Sequence, residues 1–156
     1  MQDLVDDLRS TLASESIRLL AITDEAAAVR PSAGKWSPKE VIGHLIDSAF
    51  NNHGRFVHAQ ITDDMVFPGY DQDAWVRIQR YNARPWMDLV NLWRSLNSHL
   101  VSIVEDMDPE MLSRQRTQHN LDQVAWRTIP RSQPATLEYF VRDYLAHMKH
   151  HLAQIP

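Results

Sequence analysis

His147 and His151 stand four residues apart in the run Tyr144-Leu-Ala-His147-Met-Lys-His150-His151. On a helix this spacing sets two side chains one turn apart and within about 40° of each other, so two imidazoles can reach one ion. His150 falls off that face and is not counted as a ligand. Such pairs also stand on solvated helix faces, so the pair alone leaves both readings open. A third ligand must come from another segment, and His44 is the best placed, within the apolar run Val41-Ile-Gly-His44-Leu45-Ile46. A lone histidine in that setting is ordinarily a packed core residue. Here it has company: His44, Asp47, Ser48, Asn51 and Arg55 recur at helical spacing and form a polar strip on an otherwise apolar helix. Polar groups turned into a bundle interior are costly unless partnered, so such strips tend to mark sites. A strip lying on the surface is the competing reading.

The elements that must carry these residues are helical. Glycine occurs only four times, and apolar residues recur at three and four spacings between proline-marked turns. Leu4, Leu8, Leu12, Ile17, Leu20 and Ile22 outline a first helix expected to stop near Arg30, ahead of Pro31. Ser37, Pro38 and Glu40 make a capping box for a second helix reaching about Gln60, with Trp36 and Val41 as its hydrophobic staple. Its core stripe reads Val41, Ile42, Leu45, Ile46, Ala49 and Phe50. A long connection, 61–84, carries a short helix around Asp73 to Arg80, and connections of this length are often functional. Pro85 opens a third helix with the stripe Leu89, Leu92, Trp93, Leu96, Leu100 and Ile103, ending near Asp106. After a helical turn at Pro109 to Arg114, residues 115–134 read as irregular loop, and Thr136 caps a last helix through Leu152. Four long helices predict an all-α, up-and-down four-helix bundle, one domain over residues 1–156.

Composition narrows the chemistry. The chain has no cysteine, so thiolate metal sites, iron–sulfur clusters and disulfides are excluded, and any metal is held by His, Asp or Glu. Sixteen Lys and Arg against twenty Asp and Glu give a net charge of -4 with no basic stripe, which disfavours nucleic acid as a partner. No apolar run approaches the ~18 residues of a membrane span, and the acidic start lacks the features of a signal peptide, so a cytoplasmic protein with no membrane partner is expected.

Taken in order, Trp36-Ser-Pro-Lys-Glu40, then His44-Leu-Ile-Asp47-Ser48, then the terminal Tyr144-x-x-His147-x-x-His150-His151 resemble the DinB-like superfamily of four-helix metal proteins over nearly the whole chain. Within it the chain is most similar to the bacillithiol S-transferase type, through Asp47 to Arg55, Tyr70-Asp71-Gln-Asp-Ala-Trp75 and the terminal histidines. The resemblance implies one divalent transition metal on His44, His147 and His151, zinc or nickel first and iron after them. Three imidazoles suit all of these ions. Three protein ligands leave positions open for water or substrate. It also implies His119 as a residue that touches substrate or supports a ligand. Asp47, one turn from His44, can orient an imidazole or accept a proton; Tyr70 can fold over the site, and Asn51, Arg55 and Tyr144 can line a pocket for substrate. His99 reads as core or boundary, His53 and His58 as solvent- or partner-facing, and Trp36, Trp75, Trp86, Trp93 and Trp126 as packing residues.

The leading expectation is therefore an enzyme, a transferase activating a small thiol for attack on an electrophile. Metal-dependent hydrolysis is the runner-up. A non-catalytic module that carries metal or dimerises is the reading from another class, distinguished by the lack of a cavity beside the histidines. A homodimer is expected by analogy with other small helical bundles.

Overall fold

The computed structural model describes residues 2–156. The start signal at Ser37 is built as the sequence requires. The Ser37 hydroxyl accepts from the Glu40 N–H, the Glu40 carboxylate accepts from the Ser37 N–H, and Pro38 sits in the first turn. From there α3 runs Pro38–His58, after α1 (Gln2–Leu20) and the short α2 (Asp24–Ala27). The chain continues through α4 (Gln72–Gln79), a 3₁₀ turn (Tyr81–Ala83), α5 (Trp86–Glu105), α6 (Pro109–Ser113), α7 (Leu121–Val124) and α8 (Leu137–Leu152). Thr136 caps α8 by accepting from the Tyr139 N–H.

The four long helices form the bundle: α1 and α3 each pack against both α5 and α8. Their order around the axis is thus α1, α5, α3, α8. The connections 21–37 and 106–136 cross diagonals, while 59–85 joins neighbours. The core between them is apolar, with Leu8, Leu19, Ile42, Leu45, Trp86, Trp93, Phe140 and Leu152 all buried. Among the described residues no helix is long and apolar enough to cross a membrane.

The structure departs from the sequence expectations in several places. The first helix stops at Leu20, well before Arg30, because Thr23 caps a separate turn by accepting from the Ala26 N–H. Ile17, Phe50 and Leu92, expected in apolar stripes, point outward at 76%, 54% and 42% exposure. Phe50 and Leu92 lie at the edges of their stripes, whereas Ile17 falls on the face of α1 opposite Leu4, Leu8 and Leu12. Residues 115–134 are more ordered than a plain loop, since they contain α7 and are tied to the long connection. The Met65 N–H donates to Gln118 and its carbonyl accepts from Asn120, while the Asn120 side chain grips both backbone groups of Phe67. Asn120 thereby satisfies buried backbone that would otherwise be orphaned, and this holds the two connections together beside α3 and α8.

Candidate metal centre

His44 lies on the buried face of α3, and His147 and His151 lie one turn apart on α8. The packing of α3 on α8 brings the three together. One ligand nitrogen from each lies within 4.8 Å of the others, and Nε2 of His44 is 3.2 Å from Nε2 of His147. Ring centroids are separated by 5.2 Å (His44 to His147), 4.7 Å (His44 to His151) and 4.6 Å (His147 to His151). His44 is fully buried and the other two are half-buried. Trp36, expected as a staple residue, lays its ring against His44 at 5.1 Å and His151 at 6.3 Å. His150 is exposed, and its ring lies against Trp126 at 5.0 Å and against the edge of the trio at His151, 5.3 Å away.

Burial first, and then the neighbouring imidazoles, hold all three in the neutral form. His44 and His147 are pushed down to about 3 and His151 to about 4. Neutral imidazole is the ligating form, so protons offer little competition near neutral pH. The Nδ1 atoms of His44 and His151 are buried with no partner among the described residues. Three neutral imidazoles, two of them with an unpartnered Nδ1 and none bound to a carboxylate among the described residues, fit a divalent transition ion by donor type and number.

The centre opens onto a cavity of about 260 Å³ whose walls include His44, Ser48, Asn52, Arg55, Tyr70, Phe140, Asp143, Tyr144 and His147. Arg55, Tyr70 and Tyr144 are thus on the cavity wall. Asn51 does not line the cavity: its amide donates to the Asp47 carbonyl, and Asn52 takes the place on the wall. At 100° per residue Asn52 falls on the Ser48 side of His44 and Asn51 on the Asp47 side, which is the signal that could have separated them. The Tyr144 hydroxyl is turned away toward Asn97 Oδ1, so this residue offers its ring to the cavity.

Asp47 makes no hydrogen bond to a histidine. Its Oδ1 accepts from the Tyr81 hydroxyl at 2.7 Å and from Gln79 Nε2 at 2.6 Å, and its Oδ2 is buried without a partner among the described residues. Burial pushes its pKa up against these two donors. Tyr81 reaches it because Arg80 takes a left-handed conformation, φ 55°, and turns the chain back onto Gly43. His119 is also not on the cavity wall. Its Nδ1 accepts from the Leu121 N–H at 3.2 Å, which leaves Nε2 as the N–H donor to the Gln133 carbonyl at 2.7 Å. Both ring nitrogens are spent on holding the loop. His99 is exposed and stacks on His53 at 5.3 Å. Sequence reasoning missed Asp143, which faces the cavity from α8 and accepts the backbone N–H groups of Trp126 and Arg127, both at 2.8 Å. That latch holds Trp126 on the cavity wall.

A four-helix bundle with three imidazoles converging from two of its helices defines the class of this protein. The DinB superfamily model matches residues 8–155, and the chain belongs to that superfamily. Two Oceanobacillus iheyensis proteins, provisionally named metal-dependent hydrolases, are similar. One is 28% identical over 123 residues, 79% of this chain and 64% of the relative, and the other 24% identical over 129 residues, 83% and 72%. The chain thus spans just under two thirds of the first of these. Among solved structures, YfiT from Bacillus subtilis, described as a probable metal-dependent hydrolase with an unusual four-helix bundle topology, superposes with a TM-score of 0.80 at 19% identity. The match covers 99% of this chain and 82% of that one. A mycothiol-dependent maleylpyruvate isomerase superposes with a TM-score of 0.64 at 15% identity, covering 95% and 59%. These two likenesses carry the fold.

Proposed function

We propose that this protein is a metal-dependent enzyme that joins a small thiol to an electrophile, with one divalent ion on His44, His147 and His151. The observation that carries the reading is the opening of a neutral three-imidazole centre onto a cavity large enough for a small molecule. An ion bound there supplies a Lewis acid that lowers the pKa of a coordinated thiol or water and so provides a nucleophile near neutral pH.

The chain's own residues do the rest. Burial keeps the imidazoles unprotonated, and Trp36 covers His44 and His151. Tyr81 and Gln79 fix the Asp47 carboxylate on α3, and the Asp143 latch keeps Trp126 against the cavity. A filled interior beside the histidines would have favoured a non-catalytic module, and the cavity speaks against it. Hydrolysis is the second reading, favoured by the names of the Oceanobacillus iheyensis relatives and of YfiT; water would then take the place of thiol. Thiol use is supported by the motif resemblance and by the mycothiol dependence of the structurally similar isomerase. Zinc and nickel are the proposed ions, with a second copy of the chain as partner.

Elemental analysis of untagged protein should find about one zinc or nickel per chain, and His147→Ala should lower that content by about tenfold or more. Loaded protein incubated with a small thiol and 1-chloro-2,4-dinitrobenzene should form the thioether, with no turnover in His147→Ala. Ester cleavage without any thiol, in the absence of thioether formation, would decide for hydrolysis. Metal content indifferent to all three histidines would overturn both.

A further inference from the structure

Arg55 is 7% exposed, yet among the described residues no carboxylate pairs with it. Of the five N–H groups of a guanidinium, one donates to the Pro68 carbonyl at 2.8 Å and one reaches Asn52 Oδ1 at a long 3.5 Å. Three are left without a partner among the described residues. Burying a cation in this state is costly; Lys39, 3% exposed, is paired with Asp24, whereas Arg116 also lacks a carboxylate among the described residues and keeps an unpartnered Nε. The other deeply buried guanidinium, Arg116, donates to the Ala59 carbonyl and the Met65 sulfur and does not face this cavity. Arg55 does face it, beside Tyr70, Ser48 and Asn52.

The remaining walls do not neutralise it. Asp143, the carboxylate on the cavity wall, spends both oxygens on the N–H groups of Trp126 and Arg127, and Asp47 lies off the wall, its Oδ1 held by Tyr81 and Gln79. The unsatisfied character of this part of the cavity is that of hydrogen-bond donors around one positive charge. We propose that it binds the carboxylate of the substrate, with Arg55 as the anchor and the Tyr70 and Ser48 hydroxyls as flanking donors. The planar fork of guanidinium matches a carboxylate in both shape and charge. A dianion would leave excess negative charge facing the Asp143 carboxylate on the same cavity wall. His44 and Arg55 are separated along α3 by roughly 16 Å of axial rise, so the carboxylate lies several bonds from the reacting atom. The substrate is accordingly an elongated small molecule bearing a carboxylate at the end remote from the histidines. This rests on the reading of the three-histidine cavity as the reaction site.

The test uses two probe pairs and calorimetric titration. Zinc-loaded protein, its metal content measured on the same sample, is titrated with 6-mercaptohexanoate and with 6-mercaptohexanamide; metal-free protein is titrated with hexanoate and hexanamide. Each acid should bind on the order of tenfold tighter than its amide, the scale of a charge-assisted hydrogen-bond pair. In Arg55→Gln that preference should fall to within about twofold at unchanged metal content, and Arg55→Lys should keep part of it. Equal binding of acid and amide by the natural chain, or a preference that survives in Arg55→Gln, would overturn the proposal. Should Arg55→Gln not fold, the acid-to-amide ratio of the natural chain and of Tyr70→Phe decides it. If no metal binds but the hexanoate preference stands, the metal reading fails and the carboxylate site does not.

Discussion

A Cβ placed on Gly43 would lie 2.1, 2.2 and 2.7 Å from ring atoms of Tyr81. That ring is not a loose end, because Tyr81 is 5% exposed and its hydroxyl is fixed on Asp47. Gly43→Ala must therefore displace the ring or part α3 from the turn that carries it. Overpacking of this kind costs about 1–3 kcal/mol, and losing the Tyr81 to Asp47 hydrogen bond costs about 1–3 kcal/mol more. Against these, alanine in mid-helix returns about 1 kcal/mol relative to glycine. The net expectation is a loss of about 1–5 kcal/mol, or a fall in Tm of roughly 2 to 20 °C for a chain of this size. Urea unfolding followed by circular dichroism measures it. The same substitution in a Tyr81→Ala background, where no ring stands in the way, should be neutral or stabilising by about 1 kcal/mol. A Gly43→Ala protein as stable as the natural one with Tyr81 in place would refute the reasoning.

Asp143→Asn puts an amide donor against two backbone N–H donors, so the protein should lose about 1–3 kcal/mol and Trp126 should leave the cavity wall. Tryptophan emission shifted to the red, compared with the natural protein, is the readout. Tyr144→Phe strips Asn97 Oδ1 of its donor inside the core, with an expected cost again of about 1–3 kcal/mol by urea unfolding. The third concerns pH. Because His44, His147 and His151 titrate at about 3, 3 and 4 when folded and near 6.5 when unfolded, the unfolded chain takes up protons first. Metal-free protein should therefore lose stability as pH falls from about 7 toward 5, seen as falling urea midpoints, and the loss should shrink in His151→Phe. A flat profile would show that the imidazoles are not held neutral.

The histidine centre was legible because helical periodicity is a local rule: His147 and His151 share a face by spacing alone, and His44 sits in a helix whose start is written at Ser37. The same rule brings Arg55 to the cavity wall, while at 51 and 52 neighbouring positions straddle its edge and Asn52 lines it. What stayed hidden depends on contacts distant along the chain. Nothing near Asp47 announces that Tyr81 and Gln79 will hold its oxygen, and Asp143 reads as an ordinary helix acid until the loop at Trp126 folds onto it. His119 was assigned to substrate by resemblance, yet in a loop the fate of an imidazole depends on which backbone groups lie unsatisfied around it.

The nitrogens of His44 and His147 that approach to 3.2 Å belong to residues 103 positions apart. An unfolded chain can offer an ion the adjacent pair His147 and His151, but recruiting His44 as well means closing a loop of that length. The entropy of doing so is worth roughly 4–5 kcal/mol on chain-statistical grounds. An ion that takes all three nitrogens therefore discriminates strongly between the two states and acts as a clasp. In a protein without a single cysteine, it is the nearest thing to a covalent cross-link, and one that a chelator can undo.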